Sequence, residues 1–336
     1  MIDPRRERRL KGMSSRIPTL NDIQVAADRI EGYVVRTPVM TSGSIDHITG
    51  AEIFFKCENL QRVGAFKYRG ATNAVLSLTD EEAENGVATH SSGNHAQALA
   101  LAARNRGIPA YIVMPTNSPR VKVNAVKGYG GRITFCQPTL ASRETTLDEV
   151  VKETGAYFIH PYNDPRIISG QGTAALELLD EIDPLDIVMA PVGGGGLLSG
   201  TSIAVKGVSP ETKVIAAEPL NADDACRSFR TGTLIPSKDP DTIADGLRTS
   251  LSDLTFRIIM ENVDDIVTVS EEGIVKAMRI TWERMKLLVE PSAAVPLGAI
   301  LENKLDVSGK RIGIILSGGN VDLDRLPWRN KDRSDR

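Results

Sequence analysis

The chain has 336 residues, of which 41% are hydrophobic and 25% are charged. This balance excludes disorder, collagen and coiled coil as descriptions of the whole chain. Its 40 basic and 43 acidic residues leave a formal charge of -3, and only 4% of the residues are aromatic, so we expect no nucleic-acid partner.

The cysteines and the apolar runs bear on where the protein works. Cys57, Cys136 and Cys226 are scattered and form no CxxC pair, which is typical of reduced thiols in a cytoplasmic protein. No apolar run approaches the roughly 18 residues of a membrane-spanning helix. The basic N-terminal segment also lacks the apolar core of a secretory signal. We therefore expect a cytoplasmic protein with no membrane partner.

The predicted elements alternate between strands and helices along most of the chain. Residues 1–16 are expected to be a flexible basic tail, and Thr19 is a candidate N-cap for the first helix. Strands are predicted at 52–58, 86–92, 110–115, 132–137, 156–161, 186–192, 213–219 and 311–317, and helices at 95–105, 117–128, 142–154 and 170–182. Continuous apolar strands between helices indicate open parallel sheets covered by helices on both faces. The longest irregular connection is predicted at 228–246, and connections of that length are often functional.

Four consecutive glycines, Gly193, Gly194, Gly195 and Gly196, follow a buried strand and open a helix. Glycine lets several backbone N–H groups approach a ligand, and a helix N-terminus attracts anions, so the run favours a phosphate site. It lacks the spacing of a dinucleotide fold or a P-loop. A tight structural turn is the alternative, although a single glycine would be enough for that.

Three further segments place polar groups at predicted strand ends, where open α/β sheets bind their ligands. The segment HSSGNHAQA (90–98) suits a carboxylate, or else is an elaborate N-cap. Lys67 in GAFKYRGA (64–71) is a candidate for Schiff-base chemistry if its pKa is lowered, or else a surface charge. Ser317 in LSGGNVDL (316–323) adds a neutral hydroxyl. Together these groups indicate a pyridoxal-phosphate enzyme that acts on an amino acid.

These motifs resemble those of the fold type II pyridoxal-phosphate enzymes, specifically the serine racemase and threonine dehydratase family, from about Ile17 to Trp328. EPLNADD, TIADG, WERMKLLVEPSAA and LSGGNVDLD resemble the serine racemases. HPYNDPR and VDLDRLPW resemble the hydroxyaspartate dehydratases more. The resemblance implies a large cofactor-binding domain at 17–85 and 164–328, a small substrate-closing domain at 86–163 and a charged tail at 329–336. It also implies a homodimer.

The resemblance assigns a role to each motif. Lys67 would hold the cofactor as an internal aldimine and then remove the substrate α-proton, while Ser92 matches the position of the base on the opposite face. The remaining cofactor contacts would be Phe66 against the ring, Asn94 at the ring hydroxyl, Ser317 at the pyridine nitrogen and the glycine run at the phosphate. Substrate contacts would come from Ser91, Ser92, His95 and Arg143, a residue that heads a predicted helix.

These roles predict α,β-elimination from serine, threonine or 3-hydroxyaspartate, with an oxo acid and ammonia as products. A neutral Ser317 cannot hold the pyridine nitrogen protonated as a carboxylate would, which favours elimination over transamination. A racemase is the alternative enzyme, since bases on both faces permit proton removal and return. A non-catalytic binding protein or a β-replacing synthase would also fit part of the pattern. Retention of Lys67 and Ser92 opposes the first, and the segment HSSGNHAQA opposes the second.

The resemblance also bears on metal and nucleotide binding. Glu218, the Ala222 carbonyl and Asp224 match an oxygen-ligand site for Mg²⁺, or for Ca²⁺ or Mn²⁺. Surface carboxylates on a loop are the alternative. Ser42 matches a nucleotide contact of the racemases, but Gly43, Arg62 and Val63 depart from that pattern, so the sequence does not support activation by ATP. Ala96 and Tyr162 depart from the racemase pattern near the substrate pocket.

Overall fold

The computed structural model describes residues 16–91, 93–182 and 184–328, and the strands within these ranges form two sheets. The six-stranded sheet has the order β1-β2-β10-β7-β8-β9 and consists of β1 (Val39–Met40), β2 (Glu52–Lys56), β7 (Ile187–Pro191), β8 (Lys213–Pro219), β9 (Asp265–Val269) and β10 (Arg311–Ile315). The four-stranded sheet has the order β5-β4-β3-β6 and consists of β3 (Val87–His90), β4 (Ala110–Pro115), β5 (Arg132–Cys136) and β6 (Tyr157–Phe158).

Helices cover both sheets. In chain order they are α1 (Leu20–Ile30), α2 (Gly43–Thr49), α3 (Lys67–Leu76), α4 (Asp80–Ala83), α5 (Asn94–Arg106), α6 (Arg120–Gly128), α7 (Leu140–Thr154), α8 (Pro165–Glu181), α9 (Gly196–Val208), α10 (Asp224–Thr231), α11 (Asp253–Asn262), α12 (Glu271–Ile280) and α13 (Pro291–Leu301). Short 3-10 turns occur at Glu58–Leu60, Arg62–Gly64, Leu220–Ala222 and Asp245–Leu247, and a π-helical turn at Thr281–Met285. In the described part of the chain, no helix is both long and apolar enough to cross a membrane.

The predicted α/β fold with two parallel sheets is confirmed. All described strand pairs are parallel except one: β1 runs antiparallel to β2 at the sheet edge. No strand was predicted there, because the first predicted strand begins at residue 52. Edge strands can take either direction because they pair on one side only. The four-stranded sheet uses strands between Val87 and Phe158, while the predicted domain boundaries themselves stay a prediction.

Both faces of the six-stranded sheet are buried, as expected for strands that read as continuous apolar runs. Neighbouring residues point to opposite faces: Phe55 and Met189 pack into one apolar cluster, whereas Phe54 and Val188 pack into another. The four-stranded sheet follows the same rule, because Val87 and Ala88 also belong to different clusters. The sequence pattern therefore predicted the layers correctly.

Helix α3, which begins at Lys67, is fixed tightly against α8. A Cβ atom at Gly170 of α8 would lie 2.6 Å from the Cα of Gly70, so the two helices touch through backbone. The fully buried Arg69 guanidinium pairs with Glu58 at 2.8 Å and with Glu177 at 2.6 Å. A buried cation needs such partners because burial removes its hydration. These contacts hold the first turn of α3 in a defined position.

Candidate active site

The cleft between the two sheets is a cavity of about 180 Å³. Its lining includes Lys67 and Ser317 from the six-stranded side and Asn94, His95 and Arg143 from the four-stranded side. The glycine run and Tyr162 also line it. The structure thus brings together the described residues that the sequence analysis assigned to cofactor and substrate. Ser92 lies outside the described residues.

Lys67 is partly buried at the N-terminus of α3. Its Nζ donates a hydrogen bond to the Pro161 carbonyl at 3.0 Å and lies 5.1 Å from the centroid of the Phe66 ring. Burial lowers the pKa of Lys67 to about 8, and the nearby Glu290 carboxylate opposes this shift. An amine with this pKa has a sizeable neutral fraction near physiological pH, so Lys67 can act as a nucleophile or a base.

The glycine run leaves no room for side chains. A Cβ atom at Gly193 would lie 2.9 Å from the Cα of Leu247, and one at Gly194 would lie 2.5 Å from the Tyr162 ring. Gly195 has a positive φ of 86° and caps α9. Gly195 is the only one of the four with a positive φ, which favours glycine. A Cβ atom at any of the four would lie closer than 3 Å to another atom, so close approach favours glycine at all of them. The run therefore presents bare backbone at the N-terminus of α9, which is suited to a phosphate.

Asn94 begins α5 and lies in a chain of amide hydrogen bonds. Its Nδ2 donates to Oε1 of Glu290 at 2.8 Å, and its Oδ1 accepts from Nδ2 of Asn320 at 3.0 Å. Nδ2 of Asn320 also donates to the Val63 carbonyl at 2.7 Å, and this bond fixes the orientation of both amides. Asn94 therefore presents a fixed amide to the cleft, next to a carboxylate.

Ser91 and His95 flank this amide on the four-stranded side. The Ser91 hydroxyl accepts a hydrogen bond from the Gly93 N–H at 3.3 Å. His95 is only 2% exposed, and burial, followed by the charge of Lys67, holds its pKa well below the usual 6.5. His95 is therefore neutral in the folded protein.

Ser317 follows β10 and is 3% exposed. Its carbonyl accepts a hydrogen bond from the Phe66 N–H at 3.0 Å, so β10 ties the start of α3 to the sheet edge. The neighbouring Ala65 and Gly318 form a β-bridge. The serine hydroxyl and the Lys67 amine are thus held on one rigid framework.

Sequence reasoning missed three charged residues at the cleft. Glu290, Asp245 and Lys122 all line the cavity, but only the motifs around Glu290 and Asp245 were noticed, and no role was assigned to them. Burial raises the pKa of Glu290 to about 7 against the opposing charge of Lys122. The available signal was a lone acidic residue in each of two small-residue segments, VEPSAA and TIADG.

Arg143 lies in the first turn of α7 and lines the same cavity as Lys67. Its Nε is buried and has no hydrogen-bond partner among residues 16–91, 93–182 and 184–328. Its charge contributes to the lowered pKa of the neighbouring His90, after burial. A buried N–H donor without an acceptor is costly, and a bound anion would satisfy it.

The predicted metal ligands lie at the end of β8, away from this cavity. Glu218 accepts hydrogen bonds from the N–H groups of Ala225 and Cys226 at 3.0 and 2.9 Å. Both oxygens of Asp224 are buried and lack a well-formed hydrogen bond within the described residues, although the Ser237 side chain lies close enough to lower the pKa of Asp224. Burial raises the pKa of Glu218 to about 9 and that of Asp224 to about 6. Buried carboxylate oxygens of this kind fit a hard cation.

Comparison with known proteins identifies the family. The model of the pyridoxal-phosphate dependent enzymes matches residues 30–318. The chain belongs to this family. Its predicted resemblance to the fold type II pyridoxal-phosphate enzymes is thereby confirmed.

Individual relatives cover nearly the whole chain. "Beta-hydroxyaspartate dehydratase" of Paracoccus denitrificans is 53% identical over 312 residues, which cover 93% of this chain and 99% of that protein. "Serine racemase" of Arabidopsis thaliana is 53% identical over 309 residues, covering 90% and 93%. The solved structure of maize serine racemase superposes with a TM-score of 0.90 at 48% identity and covers 92% of this chain and 95% of that one.

The residues of the cleft fit pyridoxal phosphate. The backbone cradle at the glycine run, which a Cβ would fill, suits its phosphate, and the low-pKa Lys67 amine suits its aldehyde. Cofactors of this type impose such anchors on the proteins that bind them.

Proposed function

We propose that the protein is a pyridoxal-phosphate-dependent ammonia-lyase that converts a β-hydroxy amino acid to an oxo acid and ammonia by α,β-elimination. Serine, threonine and 3-hydroxyaspartate are the candidate substrates, and we infer that 3-hydroxyaspartate is preferred. The observation that carries this choice is the buried Nε of Arg143 at the cavity wall, which has no hydrogen-bond partner in the described part of the chain. The dehydratase from Paracoccus denitrificans supports the same class.

Four side chains and the backbone of the glycine run would hold the cofactor. Lys67 would anchor it, Phe66 would pack on the ring, Asn94 would meet the ring hydroxyl, and Ser317 would meet the pyridine nitrogen. The backbone of Gly193, Gly194, Gly195 and Gly196 would bind the phosphate. When bound, pyridoxal phosphate supplies an electron sink for the charge left on the α-carbon of the substrate.

The chain's own groups would move the protons. Nζ of Lys67 takes the α-proton on one face of the substrate, which its lowered pKa allows near neutral pH. The Ser317 hydroxyl offers a neutral hydrogen bond and no negative charge, which favours early loss of the β-hydroxyl over transamination. Ser91, Ser92 and His95 would bind the α-carboxylate at the start of α5, where the N-terminus of the helix attracts anions.

Arg143 would bind the side chain of the substrate. Serine and threonine offer it no charge, whereas 3-hydroxyaspartate brings a second carboxylate. Arginine pairs with a carboxylate through two parallel N–H donors. A charge-assisted hydrogen bond contributes roughly 1.5–3 kcal/mol, which corresponds to about ten- to a hundredfold in kcat/KM. Arg143 would therefore set the substrate preference.

Racemisation is the alternative activity, and the 53% identity with the Arabidopsis thaliana racemase supports it. It requires a second base opposite Lys67, for which we propose Ser92. A Ser92→Ala variant should then lose racemisation and elimination from one enantiomer, while elimination from the enantiomer whose α-hydrogen faces Lys67 persists. Equal loss on both enantiomers would contradict the two-base arrangement.

We also propose a cation and a dimer. Mg²⁺, or Ca²⁺ or Mn²⁺, would bind Glu218, the Ala222 carbonyl and Asp224, where it would neutralise the buried oxygens of Asp224.

A homodimer would cover the apolar side chains of Leu60 and Leu288, which are 47% and 42% exposed on neighbouring segments. Light scattering of the purified protein tests the dimer. A cytoplasmic location remains our proposal.

One assay tests the proposed activity. The purified holoenzyme is given L- and D-serine, L- and D-threonine and the stereoisomers of 3-hydroxyaspartate, and ammonia, oxo acid and the opposite enantiomer are measured. The proposal predicts ammonia and oxo acid in equal amounts, with the highest kcat/KM for a 3-hydroxyaspartate. Enantiomer formation without ammonia would make the protein a racemase instead.

A further inference from the structure

An ion pair between a buried lysine and a partly exposed aspartate joins the two halves of the cleft. Nζ of Lys122, on α6, donates to Oδ2 of Asp245 at 2.5 Å. The Lys122 side chain is only 7% exposed, and that of Asp245 is 43% exposed. Helix α6 connects β4 to β5 in the four-stranded sheet, whereas Asp245 ends the long connection 228–246 on the six-stranded side. This pair therefore links elements of different sheets across 123 residues of sequence.

The pair lies beside the residues that we assign to the cofactor. A Cβ atom at Gly93 would lie 3.3 Å from Nζ of Lys122, so the ammonium packs directly against the backbone that precedes Asn94. The Lys122 charge also acts on Glu290, whose Oε1 accepts the hydrogen bond from Asn94. Lys122 thus contacts the Asn94 segment and influences its carboxylate partner.

Two cations and one further carboxylate act on Glu290. Lys67 acts on it from α3 and Lys122 from α6, while Asp245 acts from the 3-10 turn, and the hydrogen bonds come from the Asn94 side chain and the Asn320 backbone. The positive charge of Arg248 also acts on Lys122. Lys122 is thus the cation between two carboxylates. Removing it would leave both carboxylates without their shared counter-ion, which is unfavourable above all for Glu290, since that residue is only 3% exposed.

We propose that Lys122 and Asp245 form a latch that holds the four-stranded sheet closed over the cleft, and that Lys122 is a positioning residue for Glu290 and Asn94. This proposal rests on the cofactor site described under "Proposed function". It assigns a purpose to the connection 228–246: the segment delivers Asp245 to the cleft. Closing contacts of this type commit a substrate by excluding water and completing the site.

The latch is tested with the holoenzyme of two single variants, Lys122→Met and Asp245→Asn. Each should raise KM about tenfold or more while kcat changes less, because neutralising one partner leaves the other charge without its counter-ion and weakens the closed state. Each should also weaken binding of pyridoxal phosphate to the apoprotein, measured by fluorescence titration. The double variant should lose no more than the worse single variant, since the two side chains act as one pair.

A second readout separates positioning from a merely structural role. Lys122 lowers the pKa of Glu290 and Asp245 raises it. The pH titration of bound-cofactor fluorescence should therefore move to higher pH in Lys122→Met and to lower pH in Asp245→Asn. General loosening of the fold would move both titrations in the same direction, and that result would overturn the proposal.

The control is Lys127→Met, which removes an exposed lysine from the same helix. Should Lys122→Met fail to fold, Asp245→Asn still tests the latch, because its partly exposed side chain tolerates an amide. If both latch variants match Lys127→Met while the parent binds cofactor and turns over substrate, the latch is wrong and the proposed function stands. A parent that forms no oxo acid contradicts the proposed function itself.

Discussion

The two sheets contribute different kinds of groups to the cleft. The six-stranded side presents the glycine run, which is fully buried, and Ser317, which is 3% exposed. The four-stranded side presents long polar side chains from helices, and its helix α7 buries only Leu147 and Val150 among its described residues. Well-buried backbone is suited to hold a constant cofactor, whereas less buried helices can vary and move with the substrate. The division predicts which variants affect all substrates and which affect one.

The largest effect should come from Lys67→Ala on the six-stranded side. This variant removes both the anchor and the base, so turnover of every substrate and the visible absorbance of the bound cofactor should disappear. Absorbance spectra and ammonia assays measure the two effects. Lys276→Ala, at a lysine of α12 outside the cleft, is the control and should match the parent. Activity of Lys67→Ala within about tenfold of the parent would contradict the mechanism.

The second largest effect should come from a substitution in the glycine run. Gly195 has a φ of 86°, and a Cβ there would lie 2.8 Å from atoms of Leu251 and Thr255. A left-handed conformation costs a residue with a Cβ roughly 1–2 kcal/mol before any clash is counted. Gly195→Ala should therefore weaken cofactor binding by about tenfold or more, as measured by fluorescence titration.

Gly43→Ala provides the control for this change. A Cβ at Gly43 would meet nothing within 4 Å, and the residue has no positive φ. The Gly43→Ala variant should bind pyridoxal phosphate with the affinity of the parent. Equal affinities of both variants for pyridoxal phosphate would show that the glycine run does not bind the phosphate.

Removal of the cation should give a smaller, global effect. A ligand bound only by the folded state stabilises it by about 2.7 kcal/mol at roughly a hundredfold excess over Kd. Chelation, or Asp224→Ala, should therefore lower the melting temperature and the activity together. Asp223→Ala is the control, because Asp223 pairs with Arg227 at 2.8 Å and is not a proposed ligand. A parent melting temperature that EDTA leaves unchanged contradicts the metal site.

The smallest effect concerns His160, between β6 and α8. Its Nδ1 accepts a hydrogen bond from the Asn163 N–H at 2.9 Å, and burial lowers its pKa to about 3. The unfolded chain binds a proton near pH 6.5, so stability is lost as pH falls from 6.5 towards 3. His160→Asn keeps an acceptor and should show a flatter dependence of melting temperature on pH between 6.5 and 5. The control His47→Gln, at an exposed histidine, should show the same dependence of melting temperature on pH as the parent. If His160→Asn also shows the parent's dependence, His160 does not have this role.

Local patterns predicted most of the fold and the cofactor cradle. Apolar runs such as 186–192 and the helix starts after them are properties of contiguous residues, so β7 and α9 could be read directly. Strand β9 was missed because its sequence DIVTV is neither a continuous apolar run nor a regular alternation over its five positions. The predicted irregular connection starts too early, since α10 extends to Thr231.

Long-range pairs could not be predicted in the same way. Asn94 and Glu290 are separated by 196 residues, and their contact depends on how the two sheets approach each other. The resemblance assigned Asn94 to the cofactor, but nothing in the local sequence indicated that a carboxylate would share its amide. Lys122 was missed for the same reason, because it stands in an ordinary helical segment.

The ratio of kcat/KM for 3-hydroxyaspartate to that for serine, compared between the parent and Arg143→Ala, tests the central claim most directly. The account predicts that this ratio falls by about ten- to a hundredfold while serine turnover stays nearly unchanged. The control is Arg132→Ala, which removes an exposed arginine from strand β5 of the four-stranded sheet and should leave the ratio unchanged. An equal loss on both substrates would contradict the account, since Arg143 would then support closure or folding and the four-stranded side would not select the substrate.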